Sequence, residues 1–270
     1  MVIRTVKTGA SQRSAWLAGG KPNPLARLRL FCFPYAGGSS LAYRQWQAGL
    51  PAEIEVCPVQ LPGRGSRLHE ARFTSMPPLI EAIAEVLTGY FDKPFAFFGH
   101  SMGAIISFEL SRYLRRVYGM EPFHLLVSGR RAPQVPDNDP HTYHLPDAQF
   151  IEELRRLNGT PEEALVDAEL MQVMLPLVRS DFELIQTYAY VPESPLNCPI
   201  SVFGGLEDWD EGREMLRAWS EQTTNSFSLH MLPGDHFFLN TSRPQLLREV
   251  SQRLYHSGGL FAGRAAVSAP

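Results

Sequence analysis

Residues 97–104 read Phe97-Phe98-Gly99-His100-Ser101-Met102-Gly103-Ala104. A short apolar run, residues 95–98, leads into them, and a helical pattern over residues 102–118 leads out. Gly-x-Ser-x-Gly between a strand and a helix predicts a nucleophile elbow. The serine sits on a sharp, strained turn with its hydroxyl exposed, and the glycines let the chain pack closely around it. The N-terminus of the following helix points at the same spot. The bare pattern arises by chance in roughly one chain in ten of this length, so its specificity comes from the strand before and the helix after. Ser101 is the candidate nucleophile.

Outward from this turn the rhythm repeats. Apolar runs at 28–33, 54–59, 95–98, 124–127, 200–203 and 227–232 read as buried strands. Helical patterns at 79–90, 102–118, 211–223 and 243–255 alternate with them. Strands rich in β-branched and aromatic residues, alternating with helices, imply a mostly parallel sheet flanked by helices. With the elbow, this predicts the α/β class and the α/β-hydrolase fold. One stretch, about 144–190, has helical spacing but no strand: Phe150, Leu154 and Leu157, then Leu170, Met174 and Leu177, then Phe182, Ile185 and Tyr188 or Ala189. A single crossover rarely needs three helical segments, so the spacing predicts a helical lid between strands four and five. The expected layout is a poorly ordered N-terminal arm over 1–24, a hydrolase domain over 25–256, and a flexible tail over 257–270.

The bulk numbers fit one such domain. The chain has 270 residues, 44% hydrophobic and 20% charged, with a formal net charge of −3. That balance, without a nucleic-acid motif, argues against a nucleic-acid binder. No stretch approaches the roughly 20 apolar residues of a membrane helix, and residues 1–24 lack the apolar core of a signal peptide. The expected compartment is the cytoplasm. Three cysteines, Cys32, Cys57 and Cys198, with no C-x-x-C, make neither a disulfide framework nor a zinc site. No metal and no cofactor is expected.

A serine nucleophile needs a base and an orienting acid, which follow it in the order acid, histidine on loops after later strands. Among eight histidines, His236 in Pro233-Gly234-Asp235-His236 lies on the loop after strand six. The acid belongs after strand five, where Glu207, Asp208 and Asp210 all stand; Asp208 is preferred, Asp210 is its rival and Glu207 comes third. Asp235 adjoins His236 and is discounted, because sequence neighbours on a loop seldom face each other. Acyl transfer also needs donors for the oxyanion. One is the backbone N–H of Met102. The other comes from Phe33-Pro34-Tyr35-Ala36-Gly37-Gly38-Ser39, with the N–H of Ala36 preferred and that of Tyr35 its rival. This loop has neither a Walker pattern nor G-x-G-x-x-G, so a phosphate-binding reading fails.

Taken together, Phe33-Pro34-Tyr35-Ala36-Gly37-Gly38, Gln60-Leu61-Pro62-Gly63-Arg64, Gly99-His100-Ser101-Met102-Gly103-Ala104, Ser128-Gly129-Arg130-Arg131-Ala132-Pro133 and Gly234-Asp235-His236-Phe237-Phe238 resemble the type II thioesterases. These are stand-alone editing enzymes of polyketide and nonribosomal peptide synthesis. Asn158-Gly159-Thr160-Pro161 and the run from Leu175 to Phe182 extend the likeness, which covers roughly residues 28–255. The resemblance implies a lidded hydrolase that cleaves acyl groups from the phosphopantetheine arm of an acyl or peptidyl carrier protein. It maps the triad onto Ser101, Asp208 and His236 and the donors onto Met102 and Ala36. Trp209 stands where many relatives have proline, which bears on the placing of the acid. An acidic carrier suggests a basic rim, and Arg64, Arg67, Arg130 and Arg131 follow strands whose carboxyl ends should face the ligand. Without the resemblance, the residues stop at a serine hydrolase with a lid. A carboxylesterase or lipase on small esters, a receptor that kept the hydrolase fold, and a chain-terminating or cyclising thioesterase are the competing readings. The free-standing chain points to editing over the last.

Overall fold

Leu28–Phe33 (β1), Ile54–Pro58 (β2), Phe95–His100 (β3), His124–Ser128 (β4), Ile200–Gly205 (β5) and Phe227–Leu232 (β6) form one sheet in the order β2-β1-β3-β4-β5-β6. Every neighbouring pair is parallel. The computed structural model describes residues 15–18 and 23–256. The six expected strands are all present, and each differs from its sequence pattern by two residues or fewer at an end.

Between the strands run α1 (Met76–Leu87), α2 (Met102–Tyr118), α3 (Asp147–Arg156), α4 (Glu162–Leu165), α5 (Ala168–Gln186), α6 (Arg213–Arg217), α7 (Phe238–Thr241) and α8 (Arg243–His256). α2 ends where Gly119 takes φ +65° and donates to Arg115 O, while Met120 N–H reaches back to Leu114 O. That is a glycine stop with Arg115 and Arg116 placed against the helix dipole. The central strands are covered on both faces. Phe31, Phe33 and Phe97 point into one core with Ile105 and Phe108 of α2. Leu30, Cys32 and Phe98 point into the other with Leu246 and Val250 of α8. Full burial of each such side chain stabilises by about 1.5–3 kcal/mol.

The strand order reverses between β1 and β3, which pair with Phe33 opposite Gly99. At such a reversal the loops leaving adjacent strands diverge and open a crevice at the carboxyl edge. The loop after β1 and the elbow after β3 therefore meet there.

The insert between β4 and β5 is helical, but it differs from its pattern. The two expected segments over residues 170–188 are one continuous helix, α5, which runs through Pro176. A proline removes one N–H and crowds the carbonyl one turn back. Pro176 and Gln172 both lie on the exposed face, where water can satisfy the freed carbonyl and the helix can bend. Phe150, Leu154, Leu165, Met171, Leu175 and Val178 give the insert a small core of its own, with Phe182 packed edge-on against Phe150.

The expected N-terminal arm also needs correction. Trp16 and Leu17 are buried, Leu17 bridges Val59, and Arg67 lies over the Trp16 ring. Residues 15–18 thus dock on the β2 side of the sheet. Residues 1–14 and the expected tail over 257–270 lie outside the described residues.

Candidate active site

Ser101 has φ +54° and ψ −116°, a conformation that costs a non-glycine residue energy and persists only where its surroundings enforce it. The surroundings are visible. Ser101 N–H donates to Ser128 O at the end of β4. A Cβ on Gly99 would come within 2.0 Å of Gly103 O, and one on Gly103 within 2.2 Å of Phe33 O. Both glycines are therefore required by close backbone approach, and the turn they permit aims Ser101 into a cavity it shares with His236.

β5 and β6 pair with Gly205 opposite Leu232. The loops that leave them are stitched together by Leu206 N–H to Leu232 O and Glu207 N–H to Gly234 O. This brings Asp208 to His236, with Oδ2 2.8 Å from Nδ1. The Asp208 side chain is 3% exposed and its other oxygen accepts the Glu211 N–H. Asp210 instead points outward, half exposed, toward Arg156. Asp235 accepts the Phe237 N–H and the Asn158 amide, so it faces away from the imidazole. With Nδ1 held by a carboxylate, Nε2 is the nitrogen left to take a proton. The neighbouring His100 ring lies 5.1 Å from that of His236. Burial, then the charge of His236, hold His100 well below the usual histidine range, so it stays neutral beside the base.

Across the crevice, the loop after β1 turns at Gly37, φ +74°, with Gly38 N–H bonded to Tyr35 O. Gly37 N–H donates to the carboxylate of Asp181. The N–H of Ala36 has no acceptor among the described residues. Met102 is the first residue of α2, so its N–H is one of the four a helix leaves without an internal partner. Ala36 and Met102 both line the Ser101 cavity. Each has a backbone N–H without a partner inside its own element, on the wall of the cavity that Ser101 shares.

The cavity, about 360 Å³, lies between the sheet edge and the helical insert. Met174, Val178, Phe182 and Ile185 of α5 and Leu154 of α3 give it an apolar roof. The insert is fastened to the catalytic loops at several points. Asn158 bonds Asp235, Arg156 lies 3.5 Å from Asp210, and Gly159 packs on the Phe237 ring. Asp181 and Glu211 were not foreseen as site residues. Both sit in or beside quoted motifs as charges with no assigned task, which was the available signal.

The arginines do not form the expected rim. Arg64 is 4% exposed and grips Asp181 through two parallel bonds. Arg67 is buried against Trp16, Glu70 and Gln60 O. Arg131 is buried on Glu211, whose carboxylate takes both its N–H and its Nε. Arg130 is the most open of the set, yet it too is paired, with Asp137 and Glu211. A guanidinium fork satisfies several acceptors at once, so the fold uses these arginines to brace loops from within. Among the described residues no cluster of His, Cys, Asp and Glu could hold a metal ion, and no helix is long and apolar enough to cross a membrane.

Comparison with known proteins bears on this arrangement. The model of the thioesterase domain family matches residues 28–254. The gramicidin S biosynthesis protein GrsT of Aneurinibacillus migulanus is 47% identical over 247 residues, covering 92% of this chain and 96% of that one. A protein of Brevibacillus parabrevis named linear gramicidin dehydrogenase LgrE is also 47% identical, over 89% and 93% of the two chains. Among solved structures, the type II thioesterase BorB from the borrelidin biosynthetic cluster superposes with a TM-score of 0.82 at 36% identity, over 90% of this chain and 99% of that one.

Proposed function

The chain belongs to the thioesterase family, and from that premise we propose that it releases acyl or aminoacyl groups from the phosphopantetheine arm of carrier proteins, as an editing enzyme of polyketide or nonribosomal peptide synthesis in the cytoplasm. One observation carries the reading. A serine forced to φ +54° at a strand–helix turn shares a lidded cavity with a histidine whose Nδ1 is held 2.8 Å from a buried carboxylate.

In this reading His236 Nε2 takes the Ser101 proton as Oγ attacks the thioester carbonyl. The oxyanion of the tetrahedral intermediate accepts from Ala36 and Met102 N–H. Collapse breaks the C–S bond, and His236 returns the proton to the departing thiol. Water then attacks the acyl-serine, losing its proton to His236, and the acid leaves as Ser101 is regenerated. Asp208 fixes the tautomer and stabilises the imidazolium. The relative named a dehydrogenase does not change this. A dinucleotide site needs G-x-G-x-x-G after a strand, and the loop after β1 reads Pro34-Tyr35-Ala36-Gly37-Gly38-Ser39.

The test is incubation with carrier proteins loaded with different acyl groups, with free acid and unloaded arm read by mass spectrometry and a panel of small esters run beside it. Release from carriers at rates well above those on the esters is expected. Turnover confined to small esters would replace the reading with a carboxylesterase, and tight binding without turnover would replace it with a receptor.

A further inference from the structure

α5 carries a carboxylate from the lid into the wall of the site. Asp181 is 2% exposed. Its Oδ2 accepts the Gly37 N–H at 2.7 Å and Arg64 Nη1 at 2.8 Å, and its Oδ1 accepts Arg64 Nη2 at 2.7 Å. Arg64 Nη1 also donates to Gly38 O, and the Arg64 carbonyl is held by the Gln60 amide. Asp181 and Arg64 therefore grip the loop after β1 at two peptides, Ala36–Gly37 and Gly38–Ser39, from elements far away in sequence.

The geometry of that turn gives the grip a purpose. The Tyr35 carbonyl accepts the Gly38 N–H, and Gly37 has φ +74°. A positive φ at the third residue of such a turn is the type II form, which differs from type I by a flip of the central peptide. Here the central peptide is Ala36–Gly37, and its N–H is the one Asp181 holds. The Ala36 N–H belongs to the preceding peptide, whose carbonyl is the Tyr35 oxygen that closes the turn. Pinning the central peptide thus fixes the neighbouring peptide, which carries the Ala36 N–H at the cavity wall. A lone carboxylate here would also oppose the negative charge that develops on the substrate. The bidentate Arg64 guanidinium cancels it.

We propose that Asp181, neutralised by Arg64, is the positioning residue of the oxyanion hole, so that the lid helix sets the Ala36 donor. The inference rests on the acyl-transfer reading above. It predicts a defect in kcat and not in substrate binding, since the donor acts on the transition state. Removing a whole oxyanion donor costs about 10²–10³-fold, and a misplaced donor should cost about 10–100-fold.

The experiment measures kcat and KM of Asp181→Ala on a small acyl thioester, with active sites counted by fluorophosphonate titration and the rate of that labelling recorded. The expected result is a roughly 10–100-fold loss of kcat per titrated site, KM within about twofold, and slower labelling in parallel. A structural role alone would reduce the number of titrated sites and leave kcat per site unchanged. Should Asp181→Ala not fold, Asp181→Leu combined with Arg64→Met carries the same test, because it removes the Gly37 acceptor without leaving a buried charge unpaired. A kcat loss of at least about threefold with KM unchanged supports the proposal. Parental kcat per site, or a loss confined to KM, overturns it. Parental protein that fails to turn over any thioester would remove the acyl-transfer reading itself, whereas active parent with unaltered variants overturns this inference alone.

Discussion

Asp208 and His236 meet at 2.8 Å because β5 and β6 are adjacent and parallel, so their outgoing loops start level and are sewn to each other by backbone bonds. Asp210, two residues on, lies half exposed beside Arg156. Asp208→Asn should therefore lower kcat by about 10⁴-fold, since an amide stabilises the wrong tautomer. Asp210→Asn should stay within about threefold of the parent, as exposed surface changes usually do. Ser101→Ala should remove roughly 10⁶-fold of turnover and abolish fluorophosphonate labelling while keeping the folded circular-dichroism spectrum. Steady-state kinetics on one thioester checks all three, and a larger defect in Asp210→Asn would reassign the acid.

How much of this was legible in the chain depended on the range of the interaction. Local signals were enough for Ser101, since a strand, a Gly-x-Ser-x-Gly turn and a helix are all encoded within residues 95–118. They also put His236 and an acidic cluster on loops that the structure brings together. The choice between Asp208 and Asp210 is a matter of which side chain turns inward, and alternation along a loop does not encode that. Arg64 and Asp181 are 117 positions apart, so reading Arg64 near the sheet edge suggested solvent where the fold supplies a partner. The spacing split residues 170–188 after Leu177, but packing of the apolar stripe carries α5 through as one helix, with Pro176 on its exposed face.

The fastening of the insert predicts where it opens. The C-terminal half of α5 is tied to the sheet by Asp181 to Arg64 and Gly37, and by Arg72 to Ser180. The end of α3 and the turn after it touch the loops after β5 and β6 through the exposed Asn158–Asp235 and Arg156–Asp210 contacts. Weakly attached elements exchange through low-energy openings. Amides of residues 147–165 should exchange faster than those of residues 177–186, and a covalent phosphonate at Ser101 should slow them. Equal protection across the two segments would argue for a fixed roof, and faster exchange in residues 177–186 would place the moving part in α5.

The buried Arg131 pairs with Glu211, whose N–H in turn holds Asp208. Burial raises the pKa of Glu211 against the pull of Arg130 and Arg131, so its charge depends on those partners. Arg131→Ala leaves that carboxylate with Arg130 as its one guanidinium partner and should destabilise the fold by about 1–3 kcal/mol, read from the urea midpoint. Its effect on kcat/KM should be the same for an acyl-carrier substrate and for a small thioester, and insensitive to salt. A loss seen only with the carrier, shrinking as salt rises, would restore a docking role to this arginine.

His124 gives a pH signature apart from catalysis. Its ring is buried in the sheet, with Nε2 2.9 Å from Ser201 Oγ, which in turn lies 2.8 Å from Ser228 Oγ. Burial, and then the charge of Arg253, lower its pKa from 6.5 to about 3. The folded protein thus resists a proton that the unfolded chain accepts near pH 6.5. Where the unfolded state binds more protons, stability rises with pH. The contribution of His124 is therefore complete above about pH 6.5 and is lost progressively as pH falls from there toward 3. At pH 5 the loss amounts to about 2 kcal/mol. His124→Gln keeps a polar group near Ser201 but cannot titrate. The parent should lose about 2 kcal/mol more stability than His124→Gln between pH 7.5 and 5, measured by urea unfolding at each pH. Taking the difference between the two proteins cancels the titration of His100 and His230, whose pKa values burial also lowers. Parallel stability curves for parent and variant would mean that the folded protein admits a proton at His124 as readily as the unfolded chain does.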